Sequence, residues 1–137
     1  MRFGSRAWLD AVVGALNAQP ELARALAGLG RDAAIVIEAD PPAWPRPVAA
    51  WVAQEAGRIA HWRLLPDEDE VLELEPAYVV RARYGLVRSI LGGRVDPVQA
   101  ALSGRVKVEG DLEALVRRAQ YRRVVDAALA AVVTEFP

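Results

Sequence analysis

Few residues in this chain could do covalent or acid–base chemistry. His61 is the single histidine and cysteine is absent, which excludes a thiolate nucleophile, a disulfide and a thiolate metal site. Catalysis by His61 would need a nucleophile and an orienting carboxylate within reach, and no motif supplies that pair. We therefore expect a partly exposed strand histidine, no catalytic residue and no enzyme activity. An enzyme that uses His61 as its acid or base is the less favoured alternative.

An acidic cluster at Asp67–Glu70 is the one candidate for cation binding. It lacks the fixed alternation of oxygen ligands and the glycine that a calcium loop requires. We interpret it as a solvated turn, and we expect neither a metal site nor a cofactor.

A basic cluster near the C-terminal end has two readings. It comprises Arg117, Arg118, Arg122 and Arg123. Guanidinium groups bind phosphate and carboxylate well, so the cluster could contact a lipid head group, a coenzyme A phosphate or, transiently, an anionic bilayer surface. The plainer reading is a solvated helical face.

The bulk composition fits one soluble domain over residues 1–137. The chain is 53% hydrophobic and 26% charged, with a net charge of −1. This balance gives no overall field that would attract nucleic acid. No run of residues reaches membrane-spanning length, and the first residues lack the pattern of a signal peptide. The cytoplasm is the default expectation.

Hydrophobic periodicity predicts an α+β fold. Helices are expected at 6–17, 21–29 and 84–91, and strands at 33–38, 48–55, 58–65 and 77–82, with an acidic turn at 66–70 and a ragged strand at 71–75. We expect a mostly antiparallel sheet of about five strands, with helices packed on one face.

The segment Gly92–Asp111 is the most sharply punctuated part of the chain. Asp96 can cap a short helix at 98–103 that begins next to Pro97 and ends at Gly104. A strand at 105–109 follows, and Gly110-Asp111 leads into a helix whose apolar stripe is interrupted near Gln120. We expect two terminal helices with a break between them.

These features resemble the sterol carrier protein type 2 family. Its members share a helix with an apolar stripe, a glycine, an aspartate-proline that opens a short helix, a serine-glycine, and a strand that ends in Gly-Asp. The matching segments are Tyr84–Leu91, Gly93, Asp96-Pro97, Ser103-Gly104, Arg105–Glu109 and Gly110-Asp111. The resemblance covers most of the chain, and it implies an apolar tunnel between a five-stranded sheet and helices that holds a lipid, with no catalytic residues.

Apolar residues at core-facing positions are the candidate wall of that tunnel. They are Trp51, Trp62, Leu86, Ile90, Leu91, Leu102, Val106, Val108, Leu112, Leu115, Val116, Leu129, Val132 and Val133. Each could equally belong to a filled core, because periodicity does not distinguish a core from a cavity.

We therefore expect non-covalent binding, with transfer as an extension, of a fatty acid, an acyl-CoA or a sterol-like molecule. The main alternative is a structural module that buries the same apolar wall against a second subunit and binds no lipid. The sequence leaves a homodimer open.

Overall fold

One five-stranded sheet runs through the molecule. We describe a computed structural model of residues 1–137, in which the strands span Asp32–Glu38 (β1), Val48–Glu55 (β2), Arg58–Leu65 (β3), Tyr78–Arg83 (β4) and Lys107–Glu109 (β5). Their spatial order is β3-β2-β1-β4-β5. Three neighbouring pairs are antiparallel, and the central pair, β1 with β4, is parallel. The sheet is therefore mixed, and the sequence did not predict the parallel pair.

Seven α-helices accompany the sheet. They span Arg6–Asn17 (α1), Leu22–Leu26 (α2), Asp69–Leu74 (α3), Tyr84–Leu91 (α4), Pro97–Leu102 (α5), Leu112–Arg117 (α6) and Arg122–Ala130 (α7). The expected N-caps form, since Asp96 Oδ1 accepts a hydrogen bond of 2.9 Å from Val98 N–H. The expected interruption near Gln120 is a single 3-10 turn, Ala119–Tyr121, between α6 and α7.

Helix α3 covers most of the acidic segment, so the expected ragged strand at 71–75 was wrong, and the expected turn at 66–70 is confirmed only as far as Glu68. Val71 and Leu74 lie one turn apart and both contact the sheet, a spacing that suits a helix better than a strand. The Asp67 side chain accepts a hydrogen bond from Glu70 N–H at 3.2 Å, which satisfies one of the free donors of the first turn.

The β2–β3 hairpin has the expected bounds, with Ala56 and Gly57 both at positive φ in its turn (53° and 76°). A register shift between Ala53 and Gln54 interrupts the pairing. As a result Ile59 packs against α1, in the place that simple alternation assigned to Ala60.

The two faces of the sheet have different covers. The face that we call the helical face carries Ile35, Ala50, Val52 and Val80, and α1, α2, α4, α5 and α6 lie on this side of the sheet, with α7 packed against α1. The opposite face carries Ala34, Val36, Ala49, Leu65 and Val79, and α3 packs on it through Val71. The expectation of helices on one face was therefore wrong for α3.

At the outer edge, β3 pairs only with β2. The Asn17 side chain occupies part of that edge, because its Nδ2 donates to Ile59 O at 3.0 Å and its Oδ1 accepts from Ile59 N–H at 2.9 Å. One amide side chain thus makes the two bonds that a neighbouring strand would make.

Candidate functional site

Ile35 is unusually exposed for a residue on the helical face of the sheet. It lies in the middle of the central strand, yet it is 38% exposed, whereas Ala34 and Val36 on the other face are 0% and 1% exposed. A filled core would hide a large apolar residue in a strand that has neighbours on both sides. The accessible surface of the whole chain, 7974 Å², also exceeds the roughly 7,000 Å² expected of a compact protein of this mass.

A cleft opens between the end of α4, helix α7 and the C-terminal segment. Its volume is about 490 Å³, and it is lined by Trp8, Leu91, Leu129, Val132 and Phe136 among others. Ligand pockets usually measure about 300–1,000 Å³. We call it the α4–α7 cleft.

A smaller apolar cavity lies at the other end of the helical face. Its volume is about 110 Å³, with Leu26 and Leu29 on the α2 side, Leu115 on the α6 side, and the sheet residues Val52 and Val80 below. This α2–α6 cavity is smaller than a typical ligand pocket.

Strand β1 runs from one space towards the other. On its helical face, Ala33 lines the α2–α6 cavity. Ile37 packs in a cluster that Trp8 also contacts, and Trp8 lines the α4–α7 cleft. Ile35 lies between Ala33 and Ile37, so its exposed side chain lies between the two openings.

The architecture of this chain is also found in solved structures. Over 93% of this chain and 97% of the other, it is similar to a crystal structure of sterol carrier protein 2, with a TM-score of 0.76 and 24% sequence identity. The chain has the sterol carrier protein 2 fold. The resemblance that the motifs indicated is confirmed at the level of the fold.

Two further structures share the sterol carrier protein 2 fold. One is the conserved hypothetical protein TT1886 of Thermus thermophilus, with a TM-score of 0.74, 22% identity, and coverage of 95% of this chain and 90% of that chain. The other is sterol carrier protein domain 2 of Helicoverpa armigera, with a TM-score of 0.56, 12% identity, and coverage of 95% and 91%. No protein-family model matches the sequence, and neither does any curated protein.

The structure brings together some of the wall residues expected for the sterol carrier protein 2 fold. Leu91, Leu129 and Val132 line the α4–α7 cleft, and Leu115 lines the α2–α6 cavity. Four others pack in one cluster with Ala82 and Ala100, between α4, α5 and the sheet: Leu86, Ile90, Val106 and Val108. Trp62 packs on the helical face against α1.

The remaining expected wall residues lie elsewhere. Trp51 is in register with Ala34 and packs on the α3 face, where its Nε1 donates to Asp32 at 2.9 Å. Leu102 and Val133 face solvent, 61% and 83% exposed. Leu112 and Val116 are half-buried on α6 and line neither space.

Several residues that line the α2–α6 cavity or lie on β1 were not predicted from the sequence. Ile35, Ala33 and Val52 were not among the expected wall residues, and neither were Leu26 and Leu29. The signal was the run Ala33–Glu38, which is apolar on both faces and therefore had to place apolar side chains on the helical side as well.

The expected anion patch is engaged in contacts within the chain. Arg117 pairs with Glu113 at 2.6 Å, Arg122 lies 3.5 Å from Asp126, and Arg123 pairs with Glu21 at 2.6 Å. Arg118 donates to the carbonyl of Ala27. Of the four, only Arg122 lines the α4–α7 cleft, together with Asp126.

His61 lies outside both spaces. Its side chain is 56% exposed and lies 3.3 Å from Glu55, in a surface groove along β3. The expectation of a partly exposed strand histidine is confirmed. No group of three or more histidine, cysteine, aspartate or glutamate residues is placed to hold a metal ion, and no helix is long and apolar enough to cross a bilayer.

Proposed function

We propose that this protein binds one apolar lipid non-covalently, in a tunnel that runs over β1 from the α4–α7 cleft to the α2–α6 cavity. The observation that carries the proposal is the exposure of Ile35 beneath a layer of helices. The fold supports it, because this chain matches the structure of sterol carrier protein 2 over nearly its whole length.

The energetics suit a carrier. Burying one methylene group contributes about 0.8 kcal/mol, so about ten methylenes give roughly 8 kcal/mol before losses, which corresponds to micromolar binding. An affinity in this range holds a lipid in water and still allows its release. The ligand is a fatty acid, an acyl-CoA or a sterol-like molecule, and binding involves no catalytic step, metal or cofactor.

The polar rim of the cleft orients the ligand in this proposal. Arg122 and Asp126 lie at the α4–α7 cleft beside apolar side chains. Concave sites of this kind usually combine an apolar lining with a few polar groups that set the orientation. The apolar chain extends inwards over Ile35, and the polar end of the lipid stays near α7.

The first prediction concerns a variant whose larger side chain would fill the proposed tunnel. Ile35→Trp is expected to abolish saturable binding of the fluorescent fatty acid cis-parinaric acid and to lower the melting temperature by only a few degrees. Open space accepts the larger ring, whereas overpacking a filled core costs about 1–3 kcal/mol. Fluorescence titration and thermal unfolding measure the two effects.

Leu72→Trp is the matched control. Leu72 is 66% exposed on α3, on the other side of the sheet, so this variant should bind cis-parinaric acid like the unaltered protein. If the unaltered protein shows no saturable binding, and native mass spectrometry finds no co-purified lipid, the proposed function is wrong. A steep loss of stability in Ile35→Trp would show that the core is filled.

A further inference from the structure

Helix α2 has little packing of its own. It contains five residues, of which only Leu22 is buried, and no side chain caps its N-terminus. An isolated helix of this length is unstable in water, so contacts with the rest of the protein must hold it in place. The position of α2 is therefore set by its contacts with the rest of the protein.

The first contact holds the start of α2. Arg123 of α7 makes a two-pronged pair with Glu21, since Nε lies 3.0 Å from Oε2 and Nη2 lies 2.8 Å from Oε1. A fork of this kind is the strongest geometry for a guanidinium–carboxylate pair. Glu21 directly precedes the first helical residue.

The second contact holds the end of α2. Arg118, just after α6, donates through Nε to the carbonyl of Ala27 at 2.7 Å. The last carbonyls of a helix lack partners within the helix and attract cations. Gly28 leaves room for this side chain, because a Cβ at Gly28 would lie 2.7 Å from Arg118 Nη2.

Both contacts join the α2 segment, on one side of the α2–α6 cavity, to the C-terminal helical region. Leu26 and Leu29 form one side of that cavity and Leu115 of α6 the other. On the sheet side, Gln54 Nε2 donates to Leu26 O and Gly30 O. The two arginines therefore join α2 to the C-terminal helices, while Gln54 joins the end of α2 to the sheet.

We propose that α2 is a lid over the α2–α6 end of the tunnel, held closed by Arg118 and Arg123 and pivoting at Gln54. This inference rests on the proposed lipid binding. Releasing the arginines separates α2 from α6, and it exposes the apolar side chains of Leu26, Leu29 and Leu115 to an incoming lipid. The two arginines control how fast the lipid is taken up and released.

Salt is expected to act on the same step. The Arg123 side chain is 70% exposed and that of Glu21 is 36% exposed, so dissolved ions screen their attraction. Raising the ionic strength should speed both uptake and release of lipid, with little change in affinity.

The test is stopped-flow fluorescence with cis-parinaric acid on Arg123→Gln, Arg118→Gln and the double variant. An exposed pair shifts an open–closed equilibrium by about two- to five-fold. Each single variant should therefore raise the association and dissociation rates by that factor, and the double variant by about tenfold. The equilibrium dissociation constant should change less than twofold.

Arg117→Gln is the matched control. Arg117 is a neighbouring arginine that also forms an ion pair, but with Glu113 on its own helix, so its removal should leave both rates unchanged. Exchanging the charges in Glu21→Arg with Arg123→Glu should restore the rates of the unaltered protein. Faster rates in Arg117→Gln, or no restoration by the exchange, would overturn the lid.

Hydrogen exchange tests the lid without any ligand. Amides of residues 22–30 should exchange faster in the double variant, while amides of β1 should not. Unchanged exchange and unchanged lipid rates would overturn the lid and leave the proposed function standing. Faster exchange in a protein that binds no lipid would overturn the proposed function and leave a movable α2.

Discussion

At the scale of single residues, the turn of the β2–β3 hairpin shows a conformation that suits only one of its two residues. A two-residue hairpin turn with both residues at positive φ is typical of Asn-Gly and Asp-Gly sequences. Gly57 meets this requirement, and it also leaves room for Ala23, whose Cβ would lie 2.7 Å from a Cβ at that position. Ala56, at φ 53°, carries a Cβ in a region that alanine disfavours by about 1–2 kcal/mol.

Ala56→Asn is therefore expected to raise the free energy of unfolding by about 1 kcal/mol, because asparagine tolerates positive φ better. Urea unfolding measures the change. Gly57→Ala should lower the same free energy by about 2 kcal/mol, since it combines positive φ with the contact to Ala23. A stable Gly57→Ala variant would contradict this account of the turn.

At the scale of elements, α3 illustrates what local patterns could and could not predict. The N-caps and the glycine stops of the Gly92–Asp111 segment were readable because a cap needs only its own neighbours. The structure of residues 66–75 could not be predicted in this way, since a short segment rich in acidic residues and flanked by prolines suits a turn as well as a helix. What decided for the helix is contact with the sheet, through Val71 and Leu74, and tertiary contacts of this kind are absent from local propensity. The parallel pairing of β1 with β4 was hidden for the same reason.

Two adjacent residues of α3 test whether this helix covers the face of the sheet opposite the helical face. Val71→Ala should lower the free energy of unfolding by roughly 2 kcal/mol, because it empties part of a closely packed contact. Leu72→Ala, at an exposed position of the same helix, should change it by less than about 0.5 kcal/mol. Equal effects in urea unfolding would show that α3 does not pack as described.

At the scale of the whole molecule, several helical residues that line the two spaces were predictable, and the sheet residues between these spaces were not. The helical stripes predicted Leu91, Leu115, Leu129 and Val132 on inward faces, and these residues line the two spaces, since amphipathic periodicity identifies a face that must point inwards. The same periodicity assigned Leu102 and Val133 inwards, because it contains no information on which short helices reach the sheet. Ile35 looked like any buried strand residue, and only the three-dimensional packing reveals that it is 38% exposed.

The contact between Asn17 and Ile59 also has a consequence at this scale. Gln54 N–H donates to Arg31 O, on the β1 side of β2. Backbone N–H and C=O groups alternate in direction along paired strands, so those of Trp62 and Leu64 point away from β2, towards open solvent. Unpaired strand edges of this kind recruit other chains. Asn17 closes the end of β3 that lies next to this free stretch.

Asn17→Ala is expected to lower the free energy of unfolding by about 1–2 kcal/mol, through the loss of two hydrogen bonds, and to cause concentration-dependent self-association. Sedimentation and light scattering measure the second effect. Asn17→Asp keeps the acceptor for Ile59 N–H and adds a charge at the edge, so it should self-associate no more than the unaltered protein even though it is less stable. Self-association of Asn17→Asp to the same degree would contradict the protective role.

A lipid carrier acts by diffusing between the sites where its cargo is loaded and unloaded, and diffusion is fastest for a single small molecule. By occupying the strand edge from within, the Asn17 amide is expected to limit aggregation through the sheet at high protein concentration. This contact adjoins the proposed lipid site, because Ile59, which Asn17 holds by both backbone groups, also lines the α2–α6 cavity.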